Sequence, residues 1–129
     1  MSTHKNLDVW KLSIDFVKEV YQTTKMFPPD EQYGLSSQLR RASVSVPTNI
    51  AEGAARGSAK EFLRFLYISL GSLSEIETLL IITDKLKFTD ISSLESQSIL
   101  LRRKLLNLIK YLQSKNKKPV HSSTRIPVR

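Results

Sequence analysis

Four stretches of the sequence carry apolar residues at every third or fourth position, at about residues 7–25, 35–56, 59–85 and 91–114. That spacing stacks the apolar side chains along one side of an α-helix. The connections between the stretches are short, and short connections join helices that lie side by side and antiparallel. The pattern therefore predicts an all-α fold, an up-down-up-down antiparallel four-helix bundle. We expect residues 1–114 to form this single domain and residues 115–129 to form a basic, flexible C-terminal tail.

The second helical stretch contains a proline in its middle, Pro47. Proline has no amide proton, and its ring crowds the carbonyl group of Ser43 four residues earlier. We therefore expect helix two to be kinked or broken near Pro47.

Turn and cap residues mark where the helices begin and end. Gly57 tolerates the left-handed conformation that closes helix two, and Ser58 with Glu61 has the spacing of a capping box that begins helix three. Before helix four, Asp90 offers a cap, and Ser92 with Glu95 offers a second capping box.

Hydrogen-bonding groups line one face of helix two. We expect a structural polar network that consists of Arg41, Asn49 and Glu52 on this face and Glu75 of helix three. Arg41 lies 16 residues before Gly57 and Glu75 lies 18 residues after it, so both side chains stand at a similar height, about 25 Å from the turn. This geometry predicts an ion pair between Glu75 and either Arg41 or its neighbour Arg40. In helix three, Gly71 and the serines around it predict a narrow place that a neighbouring helix approaches closely.

Several classes of protein are disfavoured by the composition. The chain has no cysteine, so disulfides and thiolate metal sites are excluded, and a reducing cytoplasm is the expected location. Its two histidines, His4 and His121, stand near the ends, and no Glu-x-x-His spacing exists for a metal site in a bundle core. Neither a glycine elbow around a serine nor a phosphate-binding loop is present. We therefore expect no enzyme and no cofactor, and the short uncharged runs predict no membrane association.

The net charge of +8 is unevenly distributed along the sequence. Residues 115–129 contribute +5, and the remainder contributes +3 from 15 basic and 12 acidic residues. Such a balance suits nucleic acid, because phosphates attract Arg and Lys without any readout of base sequence. The candidate nucleic-acid-binding residues are Arg40, Arg41, Arg56, Lys60, Arg64, Arg102, Arg103, Lys104, Lys115, Lys117 and Lys118. The alternative is that Glu52, Glu61, Glu75 and Glu77 neutralise the nearby arginines and that the tail is merely solvated.

Helices one and four have more apolar surface than one packing seam requires. In helix one, Trp10, Ile14, Val17 and Tyr21 continue the seam, and Val9, Leu12, Phe16 and Val20 widen it. An additional apolar stripe on a small bundle is typical of a contact with another protein, and self-association is the simplest such contact. The alternative is a broad contact within the core.

Three segments carry a resemblance to a known family: NLDVWKLSIDFV, LSSQLRRASVSVPTNIAEGAAR and FLYISLGSLSEIETLL. Together they resemble the bacterial four-helix-bundle proteins encoded in intervening sequences of large-subunit ribosomal RNA genes, over about residues 5–114. The most specific elements are residues 38–42, residues 49–53 and Arg56. The resemblance implies a bundle that assembles into a ring, commonly a homopentamer. It also implies similarity to accessory proteins of diversity-generating retroelements, which work with a reverse transcriptase and nucleic acid, and it implies no catalysis.

Two functional hypotheses follow from these observations. The first is a non-enzymatic homo-oligomer, a pentameric ring, that binds RNA or DNA through basic patches repeated around the ring. The second is an oligomeric scaffold or accessory subunit that binds a reverse transcriptase or another protein without touching nucleic acid itself.

Overall fold

A computed structural model describes residues 4–116 of the chain. It contains four α-helices, α1 (Asp8–Thr24), α2 (Leu35–Ala54), α3 (Ala59–Leu86) and α4 (Ser92–Asn116). Two short 3-10 turns precede α1 and α2, at His4–Asn6 and Pro29–Glu31. The four predicted helices are confirmed with boundaries within two residues, and no strand occurs between residues 4 and 116. Helix α4 extends to Asn116, so Lys115 belongs to the helix and not to the predicted tail; the rest of that tail lies outside the described residues.

The helices surround one apolar core. Contacts join α1 to α2, α2 to α3, α3 to α4 and α4 to α1, and within residues 4–116 the Cα atoms of diagonally opposite helices do not come within 8 Å of one another. Each helix contributes large side chains that are almost completely buried, among them Phe16, Leu39, Leu66 and Leu101. The predicted four-helix bundle is therefore confirmed.

Polar contacts between the helices reveal their relative direction. The Ser69 hydroxyl donates to the Val46 carbonyl at 3.0 Å, and Ser45 and Ser72 share a hydrogen bond of 2.8 Å. Gly53 lies against Phe62, so residue numbers rise in α3 as they fall in α2, and the two helices run antiparallel. The complete up-down-up-down order stays a prediction.

Helix α2 is continuous through Pro47, so the break that was one of the two expected outcomes does not occur. Pro47 is buried, and its neighbour Val46 is completely buried and accepts the Ser69 hydroxyl bond. Packing against α3 thus holds the helix together where the proline removes one backbone donor. The kink stays a prediction.

The glycine at which α2 and α3 pack closely is Gly53, not Gly71. A methyl group added at Gly53 would meet the Phe65 Cβ atom at 2.7 Å and the Phe62 Cδ1 atom at 3.0 Å. At Gly71 the same methyl group would meet nothing within 4 Å. The prediction is wrong for Gly71, because this glycine lies on the exposed side of α3. It is confirmed for the neighbouring serines Ser69 and Ser72, which form hydrogen bonds with α2.

The predicted caps are found at the start of α3. Gly57 has a positive φ of 84°, and the Ser58 hydroxyl accepts a hydrogen bond from the Glu61 amide at 3.1 Å. At α4 the cap is Asp90, whose carboxylate accepts from the Ser92 amide at 3.0 Å, whereas Ser92 is itself the first residue of the helix. The hydrogen bonds from the Ser92 amide and hydroxyl lower the pKa of Asp90.

Among the described helices, α3 alone is long and apolar enough to cross a membrane. Core helices of soluble proteins pass the same test, and α3 packs against both α2 and α4. This observation therefore assigns no membrane span.

Candidate functional site

An apolar groove runs between α1 and α2 on the outside of the bundle. It encloses about 530 Å³. We call it the α1/α2 groove, and its lining consists of Trp10, Ile14, Val17, Tyr21, Val44, Pro47 and Ala51, with His4, Lys18 and Thr48 at its margin. The His4 ring packs edge-on against Trp10, with 5.0 Å between the ring centroids. Almost no polar surface lines this groove, which is unusual for a water-exposed face.

Two parallel apolar stripes on α1 explain the groove. Val9, Phe16 and Val20 are buried in the core, whereas Ile14 and Tyr21 are about 40% exposed. The two stripes are therefore the reverse of the prediction, which placed Ile14 and Tyr21 in the packing seam of the core. Both stripes have helical spacing, so only the position of the neighbouring helices decides which one points inward.

A second groove lies between α3 and α4 and encloses about 490 Å³. We call it the α3/α4 groove. The apolar part of its lining consists of Tyr67, Leu70, Ile99, Leu106 and Ile109. The polar part consists of Arg102, Arg103, Asn107, Lys110 and Gln113. Because the helices contact one another in the order α1, α2, α3, α4, the two grooves occupy opposite sides of the bundle. The grooves differ in chemistry, since two arginines and a lysine border the α3/α4 groove and only Lys18 borders the other.

Four of the candidate nucleic-acid-binding residues are paired with carboxylates of the same chain. Arg56 contacts Glu52 and Arg64 contacts Glu61, both at 3.2 Å, and both pairs are exposed. Lys104 lies 3.8 Å from Asp8. Four glutamates were considered as neutralising partners, and three of them form ion pairs with candidate residues: Glu52, Glu61 and Glu77.

The fourth pair, Arg102 with Glu77, is the strongest. Two guanidinium nitrogens of Arg102 each donate to a different Glu77 oxygen at 2.8 Å, and one of them also donates to the Ser74 hydroxyl at 2.9 Å. The hydrogen bonds that Arg102 donates to Glu77 raise the pKa of Arg102. Both side chains are only about one third exposed. A planar, bidentate pair of this kind resists displacement by another anion.

Two further candidates contact aromatic rings. Arg40 is half-buried; its Nε atom donates to the Thr24 hydroxyl at 2.8 Å and its guanidinium lies 4.6 Å from the centroid of the Tyr21 ring. Arg40 therefore joins α2 to α1 instead of reaching Glu75. The Lys115 ammonium lies 5.6 Å from the centroid of the Tyr111 ring, at the end of α4.

Three candidates remain unpaired among the described residues: Arg41, Lys60 and Arg103 are exposed, and no hydrogen bond or ion pair holds them there. Lys117 and Lys118 lie outside the described residues. The candidates are spread over three helices and do not form one compact patch.

The polar network expected on helix two is divided into separate pieces. Arg41 and Glu75 line the same depression of about 280 Å³, as their equal heights predict, but in the described part of the chain no ion pair within 4 Å joins them. Asn49 donates to the Ser45 carbonyl at 2.8 Å, and Glu52 pairs with Arg56. The predicted ion pair is wrong because both side chains are exposed to water, which solvates them separately.

No three side chains of the types that bind metals come together anywhere within residues 4–116. The arrangement thus consists of two apolar grooves and dispersed surface cations.

Comparison with known proteins places this arrangement in a family. The 23S rRNA-intervening sequence protein family matches residues 5–114. Among solved structures, a protein of unknown function from the S23 ribosomal protein family of Bacteroides thetaiotaomicron has a similar fold, with a TM-score of 0.71 at 24% identity. The similarity covers 79% of this chain and 95% of that protein. No curated protein matches significantly. The chain belongs to the 23S rRNA-intervening sequence protein family, whose function is unknown.

Proposed function

We propose that this protein is a non-enzymatic subunit that self-associates through its two apolar grooves and that the assembly binds RNA or DNA. The α1/α2 groove is the observation that carries the proposal. Ile14, Tyr21 and Val44 leave between 37% and 42% of their surface in water there. An exposed apolar surface of this kind is stabilised when another protein covers it.

A second copy of the chain is the occupant that the two grooves favour. The α1/α2 groove offers the Trp10 ring, and the opposite groove is bordered by Arg103 and Lys110. Aromatic faces attract cations, so the margins of the two grooves complement each other. Contact between two different surfaces is head-to-tail, and head-to-tail contacts close into a ring when the rotation between subunits permits it. The family resemblance suggests five subunits.

Light scattering of the purified protein tests self-association. The wild type is expected to scatter as a multiple of 14.7 kDa. Ile14→Glu should lower that mass, because it places a charge in the α1/α2 groove. Ile82→Glu is the matched control: Ile82 has nearly the same exposure, 40% against 42%, but does not line either groove. A wild type of 14.7 kDa at high concentration would remove the basis of the proposal.

Nucleic-acid binding is supported by exposed cations that have no carboxylate partner among the described residues, Lys11 and Lys60 among them. Each is repeated in every subunit of a ring, so individually weak phosphate contacts add up. In a gel-shift titration with RNA and with DNA, binding should weaken steeply between about 50 and 200 mM salt. The absence of any shift at low salt would refute this part of the proposal.

The scaffold hypothesis is favoured by a different observation. Arg56, Arg64, Arg102 and Lys104 have carboxylate partners within their own chain, so part of the predicted basic surface is already neutralised. A scaffold would retain a co-purifying protein, such as a reverse transcriptase, after nuclease treatment. A nucleic-acid-binding assembly would instead release its ligand under the same treatment.

A further inference from the structure

The net charge of residues 4–116 is concentrated at one end of the bundle. That end, which we call the hairpin end, contains the connection between α2 and α3 at residues 55–58. Residues 4–15, 46–72 and 104–116 form the half of the bundle nearer to it, and they carry eight basic and four acidic side chains, net +4. The other half consists of residues 16–45 and 73–103. It carries eight basic and eight acidic side chains, so its net charge is zero.

Three contacts establish which segments meet at each end. The Gln113 amide donates to the Tyr67 hydroxyl at 2.8 Å, which brings the last turns of α4 to the first half of α3. His4 lines the same groove as Thr48 and Ala51, so the start of the chain lies near the end of α2. Phe27 and Phe88, with centroids 5.5 Å apart, join the other two connections at the opposite end.

Several cations of the hairpin end are accessible. Lys11 and Lys60 are exposed and have no carboxylate partner among the described residues. Arg56 and Arg64 both lie over the ring of Phe65, at 4.8 and 4.6 Å from its centroid. Their ion pairs are exposed, and exposed pairs contribute about 1 kcal/mol or less, so a phosphate can replace the glutamate at little cost.

Three of the four arginines of the other half are less suited to a polyanion. Arg102 is held by Glu77 in a bidentate pair, and Arg40 is bound to Thr24 and covers Tyr21. Glu75 lines the same depression as Arg41 and would repel a phosphate there.

We propose, on the basis of the proposed function, that nucleic acid binds at the hairpin end through its phosphate backbone. In a head-to-tail ring whose rotation axis runs parallel to the helices, every subunit presents its hairpin end on the same side of the ring. One side of the ring is then strongly positive, and the other side has no net charge from the described residues.

Two triple variants of the full chain test the location. Lys11→Gln, Lys60→Gln and Lys115→Gln remove three exposed lysines from the hairpin end. Lys25→Gln, Lys85→Gln and Lys87→Gln remove three exposed lysines from the opposite end. Both variants have the same net charge, so the long-range attraction for nucleic acid falls equally. The probes are a short DNA duplex and an RNA duplex of the same sequence, titrated at several salt concentrations, with circular dichroism and light scattering as checks of folding and assembly.

The hairpin-end variant should bind at least about tenfold more weakly at low salt, and its slope of log K against log salt should fall by about one for each phosphate that a lysine no longer neutralises. The opposite-end variant should stay within about twofold of the wild type, because the lysines replaced there touch no phosphate. Equal weakening in the two variants, or a larger effect at the opposite end, would overturn the location while the proposed binding stands. A wild type that binds neither probe at about 50 mM salt would overturn the binding itself.

Discussion

We expect the Ile14→Glu variant and the Ile99→Glu variant to be monomers when each is studied by itself. A mixture of the two variants is expected to form a dimer. Ile14 lies in the α1/α2 groove and Ile99 in the α3/α4 groove. If the contact joins one groove to the other, each variant has one disabled surface and retains the other. The intact α3/α4 groove of the first variant can then bind the intact α1/α2 groove of the second, and the chain stops at two subunits.

The size of the effect follows from exposure and charge. Ile14 is 42% exposed, and complete burial of an isoleucine contributes about 1.5–3 kcal/mol, so its share in a contact is about 1 kcal/mol. Burying an unpaired carboxylate in its place costs about 3 kcal/mol or more. A loss of about 4 kcal/mol weakens association about a thousandfold. Ile99 is 61% exposed, which raises the apolar share to about 1–2 kcal/mol, whereas Arg103, one helical turn later, offsets part of the cost of the new carboxylate.

Sedimentation velocity over a concentration series measures these masses. Each variant alone should remain at 14.7 kDa, and an equimolar mixture should reach twice that mass. The control pair is Ile82→Glu with Ile81→Glu, since Ile82 matches Ile14 in exposure, Ile81 at 58% matches Ile99, and neither lines a groove. Dimers of either variant alone would refute the head-to-tail reasoning, because they would show that a groove binds its own copy.

Three further predictions concern the fold. Gly53→Ala should lower the free energy of unfolding by about 1–2 kcal/mol, because the added methyl group meets the Phe65 Cβ atom at 2.7 Å. Gly71→Ala should raise it by up to about 1 kcal/mol, and urea denaturation that gives both changes the same sign would contradict this. Lys87→Gly should raise the free energy of unfolding by about 0.5–1 kcal/mol, because Lys87 ends α3 with a φ of 58°, which glycine adopts more readily. The control Lys85→Gly, inside the helix, should lower the free energy of unfolding. A decrease in both variants would contradict the prediction for Lys87. Asp90→Ala should lower the melting temperature at neutral pH. Because hydrogen bonds from Ser92 lower the pKa of Asp90, its stabilising effect is present above the ordinary aspartate pKa of about 4 and is lost as the pH falls through the lowered value. Thermal melts that differ from the wild type equally at all pH values would contradict the last prediction.

The helices and their ends could be predicted because their signals are local. Apolar spacing, Gly57 and the Ser58–Glu61 pair act within one or two turns of chain, and each of them is found in the structure. The excess of apolar surface on α1 was also predicted. Its location was not, because Trp10 and Tyr21 have the same helical spacing as Phe16 and Val20.

Predictions about pairs of side chains were less successful. Arg41 and Glu75 stand at the predicted height, yet they do not pair, and Arg40 binds α1 instead. The glycine that permits close packing is Gly53 and not Gly71. Such pairings depend on how each helix is rotated about its own axis, and no local pattern specifies that rotation.

The amino-acid sequence alone thus determined four amphipathic helices, their caps and an excess of positive charge, because these depend on residues close together in the chain. The tertiary structure decided which apolar stripe faces the core, which arginines are neutralised by their own carboxylates and at which end the net charge lies. Those properties depend on distances between residues far apart in the chain, such as Glu77 and Arg102, and they exist only once the helices have packed.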